Sequence, residues 1–174
     1  MKKIINLLLA MLSFITFTHA QNFKGHISTT FGIINPKYRI QCEVPITNYI
    51  SSGVNMNYYL FFWKGPIFEP FVRLYDGNDK GQFIQAKLMY GNLSSYSEPD
   101  VSNELLDGKR WSTYGFGIGY GYKYLLGKHF TIEPLTGLRF LSRPPKSAMG
   151  DNPLFWQIST GLMWDLQIKF GLQF

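Results

Sequence analysis

The chain has 174 residues, 45% of them hydrophobic and 17% aromatic, with 17 Gly, 9 Pro, one Cys and a formal net charge of +6. That length suits one domain, and fifteen Phe with eleven Tyr exclude a disordered tail. A mean hydropathy of −0.07 excludes a bundle of membrane helices, one Cys excludes an internal disulfide framework or a cysteine-based zinc site, and three His leave little for a metal centre.

The first twenty residues read as a secretory signal. Met1, Lys2 and Lys3 form a short basic start, residues 4–17 are apolar and uncharged, and Thr18-His19-Ala20 places small residues before Gln21. The apolar run is short for a spanning helix. The expectation is a cleaved signal over 1–20 and a mature domain over 21–174. The only cysteine, Cys42, lies far from that junction, which argues against a lipoprotein.

The remainder alternates with period two, the signature of strands with one apolar and one polar face. The first strand, about 23–34, is the least regular. Over 37–44, Tyr38, Ile40, Cys42 and Val44 oppose Lys37, Arg39, Gln41 and Glu43. Residues 45–48 turn the chain. Over 52–62, Val54, Met56 and Tyr58 oppose Gly53, Asn55 and Asn57. Residues 64–66 are a short connection, and 68–75 set Phe68, Val72 and Leu74 against Glu69, Phe71 and Arg73. After the turn cluster at 76–81, residues 82–90 set Ile84, Leu88 and Tyr90 against Gln85 and Lys87. Over 113–126, Tyr114, Phe116, Ile118, Tyr120, Tyr122 and Tyr124 share one face, and Gly115, Gly117, Gly119, Gly121 and Lys123 the other. Over 129–141, Phe130, Ile132 and Leu138 oppose Thr131, Glu133 and Arg139. The last run, 154–174, puts apolar residues at nearly every even position, with Asp165, Gln167 and Lys169 between them. A strand tilted in a bilayer needs only about 9–11 residues. Residues 164–174 are therefore assigned to the bilayer and 154–163 above it, with a bend at Gly161 as the competitor.

The expected fold is all-β: an eight-stranded antiparallel transmembrane up-and-down barrel. Two exported eight-stranded architectures compete, a soluble lipocalin-like barrel with its apolar face inward and a membrane barrel with it outward. The polar faces carry Lys37, Arg39, Glu43, Glu69, Arg73, Lys87, Lys123, Glu133, Arg139, Asp165 and Lys169. The opposite faces hold too many large apolar side chains for a narrow interior, so those charges are expected inside. Aromatic residues cluster at strand ends, as rings at the two interfaces of a bilayer do. The long connections, about 93–110 and 142–153, fall on one side of the barrel and the tight turns at 45–48, 76–81 and 127–128 on the other, as outer-membrane barrels require.

The stretch 115–130, followed by Ile132, Glu133 and Gly137, resembles the penultimate hairpin of small outer-membrane β-barrel proteins of unknown function from Bacteroidota, barrels of the OmpA/OmpX type. Asn35-Pro36 with Glu43, and Glu69 with Arg73 and Tyr75, resemble earlier family positions. The closing strand, with Phe170, Leu172 and Phe174, resembles the terminal signal read by the barrel-assembly machinery. The resemblance implies an outer-membrane barrel of a Gram-negative bacterium and carries no active site. The long last alternating run departs from it.

Chemistry is sparse. His26 and Ser28 form a His-x-Ser pair, the arrangement some outer-membrane lipid A deacylases use for a serine nucleophile and its base, but it sits near the periplasmic end of the first strand. His129 abuts a turn, and Cys42 lies on the apolar face. Glu69 with Arg73, and Glu133 with Arg139, read as charges that neutralise one another, with a proton or ion path as the alternative. No cofactor, catalytic group or metal is expected. The absence of a Lys/Arg run gives no sign of nucleic acid. The expected function is a non-enzymatic, monomeric outer-membrane barrel whose extracellular loops act in surface binding, adhesion or envelope integrity toward an unknown ligand. Its partners are outer-membrane lipid and the assembly machinery. A small pore and a soluble periplasmic ligand binder are the alternatives.

Overall fold

The computed structural model describes residues 25–32, 37–60, 63–77, 80–95, 110–142 and 163–174. Residues 1–20, expected as a signal, residues 154–162 and most of the expected long connections lie outside them. Eight strands follow one another: β1 (His26–Gly32), β2 (Lys37–Pro45), β3 (Ile50–Tyr59), β4 (Trp63–Tyr75), β5 (Gly81–Ser95), β6 (Arg110–Leu126), β7 (Phe130–Leu141) and β8 (Gln167–Gln173). Each pairs antiparallel with its sequence neighbour, and β1 pairs with β8 to close the barrel. Closure leaves no full-length free edge, which is the liability of an open sheet.

Three tight turns gather at one end. Thr47 accepts from the amides of Tyr49 and Ile50 at 3.2 and 3.0 Å and holds the β2–β3 turn. The β6–β7 turn needs Gly127, whose φ of 69° suits a residue without a Cβ.

Alternation sorts the two faces of the wall. Ile40, Met56, Val72, Leu88, Ile118 and Ile168 point outward and are exposed, while Arg39, Asn55, Arg73, Lys87, Lys123 and Lys169 are buried inside. Tyr38, Tyr58, Phe68, Tyr90, Tyr114 and Trp164 ring the outside away from the tight turns; Tyr49, Tyr124, Phe130 and Phe174 ring it near them. The glycines of β6 leave room inside. A Cβ on Gly121 would lie 2.5 Å from the Phe83 ring and 2.8 Å from the Pro134 carbonyl.

Three strands are longer than the sequence suggested. Residues 64–66 are not a connection: β4 begins at Trp63 and pairs Lys64 with Ser94. β5 continues to Ser95 and β6 begins at Arg110, so both strands reach into the span expected as a connection at about 93–110; residues 96–109 lie outside the described residues. The reason is a polarity inversion. Beyond Tyr90 and Tyr114 the outward residues Lys64, Asn92, Arg110 and Ser112 are exposed and polar. The inward ones, Ile67, Met89, Leu93 and Trp111, form an apolar cluster with Tyr59 and Leu141. The period of two persists, but its apolar phase switches sides, so the one-sided apolar pattern stops where the strand does not.

Candidate functional site

The interior is the most chemically distinctive part of the chain. Among the described residues it buries seven cations, Lys37, Arg39, Arg73, Lys87, Lys123, Arg139 and Lys169, and four carboxylates, Glu43, Glu69, Glu133 and Asp165. They fall into two groups stacked along the barrel axis.

Nearer the tight turns, Glu43 accepts from Arg73 at 2.6 Å, from Lys123 at 3.1 Å, from the Tyr75 hydroxyl at 2.6 Å and from Ser51 at 2.5 Å. Glu133 faces Arg73 at 3.1 Å, Lys123 at 3.6 Å and Lys169 at 3.9 Å. Arg73 also donates to Gln85 and Gln41 at 2.9 and 3.1 Å, and its guanidinium lies 4.2 Å from the centre of the Phe83 ring. One planar fork thus meets two carboxylates, two amides and an aromatic face, which an ammonium cannot do.

In the second group Glu69 lies 3.1 Å from both Arg39 and Lys87 and 3.9 Å from Arg139, and accepts from Asn55 at 3.3 Å. Asp165 pairs with Lys87, with Lys37 at 3.7 Å, with Arg39 at 3.8 Å and with Arg139 at 3.9 Å. Arg39 donates to Asn57 and Gln167, and Arg139 to the Tyr59 hydroxyl at 2.6 Å. Above this group sits the apolar cluster of Tyr59, Ile67, Met89, Leu93, Trp111 and Leu141.

The pairings differ from those read along the sequence. Glu69 meets Arg39, Lys87 and Arg139, and Arg73 meets Glu43 and Glu133. Residues four apart on one strand are roughly 13 Å apart, so same-strand charges find partners on other strands. Gln41, Asn55, Tyr59, Tyr75 and Gln167 belong to the networks as well. Their signal was their phase, which they share with the charges.

His26 and Ser28 both point inward, but they do not form a nucleophile and base. His26 Nε2 lies 2.6 Å from Thr131 Oγ1, and its Nδ1 faces Glu43 and Glu133 at 3.3 and 3.5 Å. Hydroxyl, imidazole and carboxylate are in sequence, yet Thr131 is 2% exposed and has no room for a substrate. Ser28 Oγ has no partner among the described residues. His26, Glu43 and Glu133 also bring donor atoms within 4.8 Å of one another. Arg73 and Lys123 already hold both carboxylates, and Lys169 approaches Glu133. A divalent cation would add charge where cations are in excess, so this donor set does not suit one.

At the chain end, Phe170, Leu172 and Phe174 point outward and are 58%, 43% and 57% exposed. The Phe174 amide donates to Gly25 across the closing seam. Cys42 is exposed on the outer face, and His129 lies 3.1 Å from the Gln173 carbonyl.

The fold and its two faces define a closed, eight-stranded, antiparallel up-and-down β-barrel, charged within and apolar without. No protein-family model matches the chain, and no curated protein matches it. Among solved structures it is similar to the N-terminal β-barrel domain of Pseudomonas aeruginosa OprF. The TM-score is 0.64 and the identity 13%, over 88% of this chain and 98% of that one. At that identity the likeness concerns the fold.

Proposed function

We infer that the protein is an integral outer-membrane barrel, exported by the signal over residues 1–20, monomeric and non-enzymatic, that acts through its extracellular face. One observation carries this reading. Leu88, Tyr114, Phe116 and Ile118 are 66%, 68%, 59% and 58% exposed on a wall whose inside, among the described residues, buries eleven charged side chains. Water would reverse that arrangement; hydrocarbon outside requires it, because burying an unpaired charge costs several kcal/mol whereas apolar side chains are at home in lipid. The outer aromatic rings support the same placement. The tight-turn end then faces the periplasm. The tall β4–β5–β6 wall, polar outside beyond Tyr90 and Tyr114, stands outside the cell together with the long connections. Surface binding, adhesion or envelope integrity is the role this arrangement suits.

The test is alkaline carbonate extraction of membranes without detergent. The barrel is expected in the pellet, and release into the supernatant would favour a soluble ligand binder instead. The pore reading is weaker, because side chains joined by ion pairs fill the interior and the apolar cluster overlies them. Planar-bilayer recording is expected to give no steady conductance.

A further inference from the structure

The barrel wall is least complete at one seam. β1 and β8 pair only through residues 26–29 against 170–173. Beyond that point β1 stays with β2 as far as Gly32 opposite Lys37, and β8 stays with β7 as far as Gln167 opposite Leu135. The facing edges, residues 30–32 and 167–169, carry no ladder between them. The Thr30 hydroxyl donates to the Ile168 carbonyl and satisfies one of the groups left over.

Against this seam lies a cavity of about 1010 Å³, lined by outward residues and also by Thr30, Gly121, Leu135 and Gln167, which have the inward phase. Tyr38 of β2 and Tyr120 of β6 stand at its two sides, with Ile168 and Phe170 of β8 between them. Thr29 and Thr136 keep its floor low where other outward positions carry large side chains. The size is at the upper end for small-molecule cavities, about 300–1,000 Å³. The lining is mostly aromatic, aliphatic and methyl-bearing, so the guest must be apolar. A void left unfilled there would forfeit dispersion contacts along its whole lining.

We propose that this groove binds an acyl chain of a membrane lipid, held in order against the β1–β8 seam. The proposal rests on the membrane reading above, since the groove is continuous with the face assigned to lipid. Bulk chains slide past a smooth wall; a recess flanked by two tyrosines beside an incomplete ladder retains one.

The experiment uses the full-length protein, purified from membranes in mild detergent, washed free of bulk lipid and weighed by native mass spectrometry. Thr136→Trp raises the floor of the groove, and Thr136→Leu does so less. Leu88→Trp adds the same indole to the outer face of β5, away from the groove. Heat-modifiable gel mobility reports that each variant is folded. The wild type and Leu88→Trp should retain lipid at about one molecule per barrel, and Thr136→Trp should retain about tenfold less, a change of some 1.4 kcal/mol in affinity, with Thr136→Leu between them. Equal retention in all four, or none in the wild type, would overturn the proposal. Carbonate extraction of the same preparations separates the two ideas: a pelleted barrel without retained lipid refutes the groove alone, whereas a soluble wild type refutes the membrane reading as well.

Discussion

Arg73 on β4 and Glu133 on β7 meet across the barrel, with Nη2 3.1 Å from Oε2 and both side chains shut away from solvent. The same Glu133 faces Lys123 and Lys169, and the same Arg73 holds Glu43. The contact therefore ties three strands, β2, β6 and β8, to its own two, and its removal should be felt globally. Glu133→Ala leaves three cations short of a partner and should cost about 3–5 kcal/mol, the usual price of breaking a buried pair from one side. Urea unfolding in detergent, followed by heat-modifiable mobility, would measure it. Wild-type stability would mean that these charges are solvated.

Gly121 offers a packing test. An added Cβ would press on the Phe83 ring at 2.5 Å and on the Pro134 carbonyl at 2.8 Å. Gly121→Ala is expected to destabilise by about 1–3 kcal/mol, the range for overpacked cores. Phe83→Leu removes the nearer obstacle and should recover part of the loss in a double-mutant cycle, but not all, because the carbonyl remains. Full additivity would show that the two sites do not touch.

The polarity inversion at Tyr90 and Tyr114 can be read by labelling. In a Cys42→Ala background, Asn92→Cys and Ser112→Cys lie on the exposed polar part of the tall wall. Both should react with a membrane-impermeant maleimide added to whole cells. Lys128→Cys, in the β6–β7 turn, should react only after the outer membrane is opened, and Leu88→Cys should stay protected in both conditions. Reaction of Lys128→Cys on intact cells would invert the topology.

Phe174 offers a test of the expected assembly signal. The Phe174 side chain is 57% exposed on the outer face, and its amide bonds to Gly25 whatever the side chain is. Phe174→Ala should therefore lower the yield of folded barrel in membranes several-fold while changing unfolding in detergent by less than about 1 kcal/mol, since exposed substitutions are usually small in effect. A matching fall in both would make Phe174 an ordinary packing residue rather than an assembly signal.

The sequence by itself determined which side chains share a face. Successive side chains of a strand point to opposite sides by covalent geometry alone. Arg39, Gln41 and Glu43, or Glu69, Phe71 and Arg73, were therefore bound to point the same way, and the all-β class with its strand count followed from repeated alternation and turns. Tertiary structure alone decided which charges meet. Arg73 lies too far along β4 from Glu69 to reach it, and it found Glu43 and Glu133 only because closure and strand stagger brought β2 and β7 opposite it. His26 likewise lies beside Thr131, 105 positions away, instead of Ser28 two positions on. The length of β5 and β6 was hidden for a different reason: beyond Tyr90 and Tyr114 the apolar phase changes sides, and an alternation that swaps phase reads in one dimension as an alternation that has ended.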